Sequence, residues 1–178
     1  MERDINALGN APAICPSGYA IADLVAGRDR VGRTMTATDM DAVEATFARS
    51  AALACKHGFD GVEIHASHDI LLDQFLWSAT NRCRDDYGGP PENRARIPAR
   101  VIAVCRAATQ PDFPILAHVS QFKIGAYDAR IADTAEDLSA LMQPLATAGA
   151  DILHGSPHEA WTPACDGSGR NLAAERRC

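Results

Sequence analysis

The feature that most constrains this chain is a repeated alternation of helical and strand-like segments between residues 36 and 154. The predicted strands are Gly61–His65, the near-continuous apolar run Phe113–Val119, and Ala150–His154. A segment with helical spacing precedes each of them. Such alternation predicts a parallel sheet, because a parallel strand pair needs a long crossover connection that is usually a helix. The predicted fold is therefore α/β, either an open doubly wound sheet or part of a (β/α)8 barrel.

The ends of the predicted helices are marked by capping and breaking residues. Thr36 or Thr38 can cap the first helix, and Gly58 is a natural stop after it. Pro90 and Pro91 suit the start of a later helix. The predicted helices cover about residues 36–57, 71–77, 91–108 and 135–148.

The N-terminal part of the chain has a different composition. Residues 1–35 are rich in Gly, Pro and Ala and show no sustained period, so they predict a loop-rich segment. We expect a single domain to occupy residues 36–178.

Composition and charge exclude several classes of function. The net charge of -6 and the pI near 5.4 argue against a nucleic-acid partner, which requires a basic surface. No apolar run approaches the ~18–20 residues of a membrane-spanning helix, so no membrane partner is expected. The first ten residues, MERDINALGN, lack the apolar core of a signal peptide. A cytoplasmic location is therefore expected, where the six scattered cysteines stay unpaired.

Histidines stand at the ends of all three predicted strands. His65 and His154 end the first and third strands, and His118 lies near the end of the second. Because α/β proteins place their sites at the carboxyl ends of parallel strands, we expect these rings to meet there with His68. Four imidazoles could form a zinc or iron site, completed by Asp69 or Asp151. For His154, a packing role at this edge is the alternative.

The segment around the first two histidines carries a family resemblance. Residues 58–96, GFDGVEIHASHDILLDQFLWSATNRCRDDYGGPPENRAR, are similar to the old yellow enzyme family of FMN-dependent NAD(P)H oxidoreductases. The family pattern is roughly F-D-G-V-E-I-H-x-A-H-G-Y-L-x-x-Q-F-L, followed by N-x-R-x-D-x-Y-G-G-x-x-E-N-R. Two later segments, PDFPILAHVSQFK and GADILHGSPHEAWTP, resemble the next two strands, so the likeness covers about residues 30–172. It implies a (β/α)8 TIM barrel with FMN at the mouth, of which this chain supplies about strands four to six.

The resemblance implies roles for three histidines and needs no metal. His65 and His68 would donate hydrogen bonds to the oxygen of an electron-poor small-molecule acceptor, with NAD(P)H as the hydride donor. His118 stands where the family has an arginine beside the flavin, and a neutral imidazole offers one donor where arginine offers a fork. Asp69-Ile70 replaces the family's Gly-Tyr, whose tyrosine donates a proton, and Ile70 has no proton to give.

Other motif residues are expected to shape the loops around the site. Glu92, Asn93 and Arg94 are expected to cap and brace the helix that follows. Lys123 and Trp161 lie just beyond strand ends and either face a substrate or are exposed on loops. The residues expected to shape the long loop before the helix are Asn81, Arg82, Asp86, Tyr87, Gly88 and Gly89.

The length of 178 residues limits how much of a barrel the chain supplies. A complete (β/α)8 barrel needs about 250 residues, so we expect about three βα units and impaired or no independent activity. Three units leave two open sheet edges, which favour self-association or a partner that carries further strands. A non-catalytic barrel fragment and a histidine-based metal-dependent enzyme are the alternative functions.

Overall fold

The computed structural model describes residues 13–19, 27, 32–159, 161 and 163–165. Its main sheet has three parallel strands in the order β3 (Val62–Ala66), β4 (Ile115–Val119) and β5 (Ile152–Gly155). The prediction of a parallel α/β fold is confirmed. Two further strands, β1 (Ile14–Cys15) and β2 (Arg33–Thr34), form a separate parallel pair. They are too short to produce a sequence period, and much of the predicted loop segment around them lies outside the described residues.

Five helices accompany the strands in the described residues. Ala95 separates two helices where the sequence predicted one. The break coincides with Pro98, which has no N–H to donate to the carbonyl oxygen of Arg94 one turn earlier. The helices are α1 (Ala37–Lys56), α2 (Leu71–Leu76), α3 (Pro91–Arg94), α4 (Arg96–Ala107) and α5 (Ala135–Thr147).

The strand register brings the histidines into one row. His65 pairs with His118, and His118 pairs with His154 on the other side. Successive side chains of a strand point to opposite faces. The strand residues that alternate with the histidines are therefore on the other face, where Ile64 and Ala117 are buried in the core against the helices.

The core lies between the sheet and the helices. The apolar side of α4 supplies Ile97, Val101 and Cys105, and α5 supplies Leu141 and Leu145, all fully buried. The five cysteines in the described residues form no disulfide. In the same part of the chain, no helix combines the length and the apolar character needed to cross a bilayer.

Thr36 is the N-cap residue of α1, and its contribution to stability can be tested. The hydroxyl of Thr36 accepts a hydrogen bond from the Asp39 N–H, and the Asp39 carboxylate accepts from the Thr36 N–H at 2.7 Å. We expect Thr36→Ala to lower the free energy of unfolding by about 1 kcal/mol, because it leaves an N-terminal amide without its acceptor. Urea denaturation measures this loss. Thr46→Ala, which removes a hydroxyl bonded within the helix to the Ala42 carbonyl, is the control and should change stability by less than about 0.5 kcal/mol; equal losses would contradict the capping role.

Candidate active site

Four histidines meet at the carboxyl end of the sheet, as predicted. We call His65, His68, His118 and His154 the histidine cluster. The Nδ1 atoms of His65 and His118 lie 3.1 Å apart, and the ring centres of His65 and His68 lie 5.8 Å apart. His118 also stacks on His154, with 4.6 Å between ring centres and 14° between planes. The four imidazoles are therefore in contact with one another along the carboxyl end of the sheet.

A left-handed turn carries His68 into the cluster. His68 and Asp69 have φ values of 57° and 64°, a region that costs most side chains energy but that aspartate tolerates better than most. The Asp69 N–H donates to the carboxylate of Asp73 at 2.8 Å, and Gln74 donates to the Asp69 carbonyl at 2.9 Å. The first turn of α2 therefore fixes the backbone that positions the His68 ring.

Three serine side chains contact His65 and His68. The His68 N–H donates to the hydroxyl of Ser120 at 3.2 Å, and the hydroxyl of Ser156 lies 3.3 Å from His68 Nε2. The hydroxyl of Ser67 lies 3.3 Å from His65 Nδ1. Because Ser120 and Ser156 follow β4 and β5 directly, the ends of all three strands position these rings.

A buried ion pair between Lys123 and Asp73 stabilises the left-handed turn at His68 and Asp69. The ammonium of Lys123 lies 2.9 Å from the carboxylate of Asp73, and neither side chain is more than 1% exposed. Burial raises the pKa of the Asp73 carboxyl and lowers the pKa of the Lys123 ammonium, while the attraction between them opposes both shifts. Asp73 thus joins Lys123 to the Asp69 backbone, and we call these three residues the Asp73 bridge.

Comparison with protein families gives a match that spans most of the chain. The model of the NADH:flavin oxidoreductase / NADH oxidase family matches residues 3–176 of the chain. The chain belongs to this family. Its enzymes depend on FMN and use NADH or NADPH.

Curated relatives in the family are longer than this chain. The NADH-dependent flavin oxidoreductase iccE of Talaromyces variabilis is 48% identical over 94 residues, which are 53% of this chain and 22% of that protein. The NADH:flavin oxidoreductase FG08077 of Gibberella zeae is 36% identical over 134 residues, 72% of this chain and 32% of that one. Cinnamate reductase of Clostridium sporogenes is 43% identical over 84 residues, 47% of this chain and 13% of that one. The chain spans less than a third of each of these relatives.

Solved structures show the same partial correspondence. An old yellow enzyme from Pichia sp. AKU4542 superimposes with a TM-score of 0.66 at 26% identity, over 86% of this chain and 43% of that one. Morphinone reductase gives a TM-score of 0.66 at 25% identity, over 83% and 42%. The three βα units are therefore part of an α/β barrel of the old yellow enzyme type, as the sequence predicted.

The prediction for Lys123 was wrong in both of its forms. This side chain neither faces a substrate nor lies exposed, because its ammonium is buried against Asp73. Trp161, by contrast, is 78% exposed. The charge of Lys123 suggested solvent, and only the position of Asp73 fifty residues earlier explains its burial.

Asp151 is excluded as a ligand of a metal site at the histidine cluster. Its carboxylate accepts the Ile115 N–H at 2.8 Å and forms an ion pair with Arg106. Ile115 begins β4, so Asp151 lies at the amino end of the sheet, whereas the histidines lie at the carboxyl end. For His154 the sequence left a packing role and a ligand role open; the side chain is half-exposed, and its Nδ1 lies 2.5 Å from the Glu63 carboxylate.

Polar side chains fix the loop after α2. Asn81 donates to the carbonyl oxygens of Phe75 and Tyr87 at 2.8 and 2.7 Å. Arg94, expected to brace the next helix, is instead buried and donates to carbonyl oxygens that include those of Gly89 and Leu76. These contacts connect the loop to α2, the helix that contains Asp73.

Sequence reasoning missed several residues of the site. Glu63 stands two residues before His65 on the same strand, and the period of two could have placed both on one face. Ser120 and Ser156 follow strand ends, which is also a readable signal. Asp73 carried no signal, because its partner Lys123 lies in a distant loop.

His68 is expected to stay neutral well below pH 7. Its pKa is lowered to about 4, first by burial and then by the nearby His118, His65 and Lys123. The unfolded chain titrates this residue near 6.5, so between that pH and about 4 the unfolded state binds more protons. The stability from neutral His68 is therefore complete above about pH 6.5 and is lost as the pH falls towards 4. NMR titration of the ring should give the low pKa directly.

A matched variant isolates this residue from other titrating groups. The free energy of unfolding should fall between pH 7 and pH 5 by less in His68→Asn than in the unsubstituted chain. Equal falls in both proteins, or a His68 ring that titrates near pH 6.5, would contradict the assignment.

Proposed function

We propose that this chain carries the acceptor-binding part of an FMN-dependent NAD(P)H oxidoreductase of the ene-reductase type. The observation that supports this most is the pair His65 and His68, which meet at the carboxyl end of β3 with their rings 5.8 Å apart. Two N–H donors fixed at one place stabilise the charge that develops on an acceptor oxygen during hydride transfer. The acceptor class is a small electron-poor alkene activated by a carbonyl or nitro group.

The hydrogen bond between two Nδ1 atoms constrains the tautomers. Of His65 and His118, one ring must donate and the other must accept across their 3.1 Å contact. If His65 accepts, its proton is on Nε2, where the ring can donate it to the acceptor oxygen. For His68, the low pKa keeps a neutral imidazole, which still has one N–H to donate. His68 therefore acts as a neutral hydrogen-bond donor, and His65 donates from Nε2 when its Nδ1 accepts from His118.

His118 fits a position beside the pyrimidine edge of the flavin. Its Nε2 is buried and has no hydrogen-bond partner among the described residues. In the tautomer whose Nδ1 donates to His65, this Nε2 is an acceptor, which an N–H of the flavin pyrimidine ring would satisfy. Burial lowers the pKa of His118, although the Glu63 carboxylate opposes this shift. When bound, FMN supplies the hydride. A neutral imidazole stabilises reduced, anionic flavin less than the family's arginine would.

The position after Asp69 offers no proton donor for the substrate carbon. Ile70 is the N-cap residue of α2; it is apolar and 39% exposed. We propose that water supplies this proton in the present chain, since the site is open there.

We further propose that residues 36–178 act as the central part of the barrel and have impaired activity on their own. Among the described residues, β3 and β5 each pair only with β4, so both present an open edge. Ile152, on the same strand face as His154, is 53% exposed. Open edges and an uncovered face favour self-association or a partner that completes the sheet.

A binding experiment without flavin tests the acceptor role. An α,β-unsaturated ketone is titrated into the chain while the ring resonances of the histidines are followed by NMR. We expect shifts at His65 and His68, and at least about a tenfold loss of affinity in His65→Ala and His68→Ala, with no change in the control His57→Ala at the distant end of α1. Affinity unchanged in both site variants would exclude the proposal.

Gel filtration after incubation with FMN, followed by an assay of NADPH oxidation, tests whether the chain is active on its own. We expect little flavin to stay with residues 1–178 and little oxidation of NADPH with the ketone. Retention of about one FMN per chain together with turnover would overturn the proposal of impaired activity.

A further inference from the structure

We infer that Glu63, His118 and His154 form a binding site for a divalent metal ion of the zinc class. One ligand atom from each side chain lies within 4.8 Å of the other two. His118 and His154 are cross-strand neighbours with stacked rings, and Glu63 reaches them from the adjacent strand on the same face of the sheet. We call these residues the three-ligand site.

The ligand set is one that zinc uses. Two imidazoles and one carboxylate, with a fourth position open to water, form the shell of many zinc sites. Ligands about 2.0–2.2 Å from a tetrahedral zinc ion lie roughly 3.4 Å from each other. The 2.5 Å contact between Glu63 and His154 must therefore open by about 1 Å, and both side chains are exposed enough to move. The present contact is the hydrogen bond that a metal ion would replace; a neutral His154 then carries its proton on Nε2 and offers the Nδ1 lone pair to the ion.

A second observation at His118 independently indicates a ligand. The Nε2 of this ring is buried and has no partner in the part of the chain that the structure describes. Buried polar atoms are nearly always satisfied, so an orphan beside a carboxylate and a second imidazole suggests that something binds there. His68 also has a buried ring nitrogen without a partner, Nδ1, but its Nε2 lies 3.3 Å from the Ser156 hydroxyl.

This site differs from the metal site considered from the sequence. Neither Asp69 nor Asp151 takes part, and His65 and His68 stay with the acceptor. The site exists because of His118, since an arginine at this position would bring a permanent charge and no lone pair. Its metal role is independent of the proposed acceptor role of His65 and His68, but it competes with the flavin for His118.

Equilibrium dialysis of the chelator-treated chain against Zn²⁺ tests the inference. We expect about one zinc ion per chain. Loss of a ligand should weaken binding at least about 10–100-fold, since even residues that only support ligands have effects of that size. His154→Ala and Glu63→Gln are the ligand variants, and His118→Arg should abolish binding. His57→Ala is the matched control, because it removes an exposed histidine far from the sheet end.

Substitution with Co²⁺ identifies the ligands in the same protein. We expect ligand-field absorption of a four-coordinate ion with no thiolate charge-transfer band, because no cysteine belongs to the site. Absence of bound zinc, a thiolate band, or equal affinity in His154→Ala would overturn the inference. Circular dichroism checks that each variant is folded, which is expected because His154 and Glu63 are half-exposed. Failure here leaves ketone binding by His65 and His68 intact, so the two proposals fail separately.

Discussion

Asp73→Ala should lower the free energy of unfolding by about 3–5 kcal/mol, because it leaves the buried ammonium of Lys123 without its counter-charge. The same change removes the acceptor of the Asp69 N–H, which holds the left-handed turn after His68. Denaturation by urea, followed by circular dichroism, measures the loss. In the NMR titration, the ring resonances of His68 should broaden or shift in this variant.

Two further variants separate the charge effect from general damage. Asp41→Ala removes an exposed partner of Arg100 and should cost less than about 1 kcal/mol. The double variant Asp73→Leu with Lys123→Met replaces the pair by apolar side chains of similar size and should recover most of the lost stability. A small loss in Asp73→Ala, or a double variant less stable than the single one, would show that the pair is not the source of the effect.

Gly88→Ala should be the second strongly destabilising substitution, with a loss of about 3 kcal/mol. A Cβ at this position would overlap the carbonyl oxygen of Cys83 and lie 2.7 Å from its carbonyl carbon. The backbone must move, yet the loop is held by the hydrogen bond from Asn81 to the Tyr87 carbonyl. Overpacking that cannot relax costs about 1–3 kcal/mol and occasionally more. Thermal and urea denaturation give this value.

The neighbouring glycine is the matched control. Gly89 has a φ of 78°, but a Cβ there would meet nothing within 4 Å. Gly89→Ala therefore adds only backbone strain, about 1 kcal/mol. The overlap with Cys83 would be refuted if Gly88→Ala were no more destabilising than Gly89→Ala.

The elements of the sheet and the helices around it were readable because their patterns are local. Apolar runs and their spacing placed β3, β4 and β5 within about two residues of their observed ends. The motif around His65 and His68 also identified the barrel type, which the family match and the superposed structures confirm. Where the pattern misled, the reason was local too, since Pro98 splits the predicted helix into α3 and α4.

The contacts that position the site were not readable, because they join residues far apart in the chain. Asp73 and Lys123 are fifty positions apart, and Glu63 and His154 are ninety-one apart. A single sequence gives no reason to pair them. Asp151 led to the opposite error. It is close to His154 in the sequence, yet it lies at the opposite end of the sheet.

The sequence by itself determined the alternation of helices and strands, the family, and the meeting of the histidines at one sheet edge, because each depends on periodicity or on a contiguous motif. Only the tertiary structure decided which neighbours each histidine has. Strand register placed His118 between His65 and His154, burial kept His68 neutral, and the fold buried Lys123 against Asp73. Register and burial are set by packing between distant segments, and those contacts decide what the imidazoles can bind.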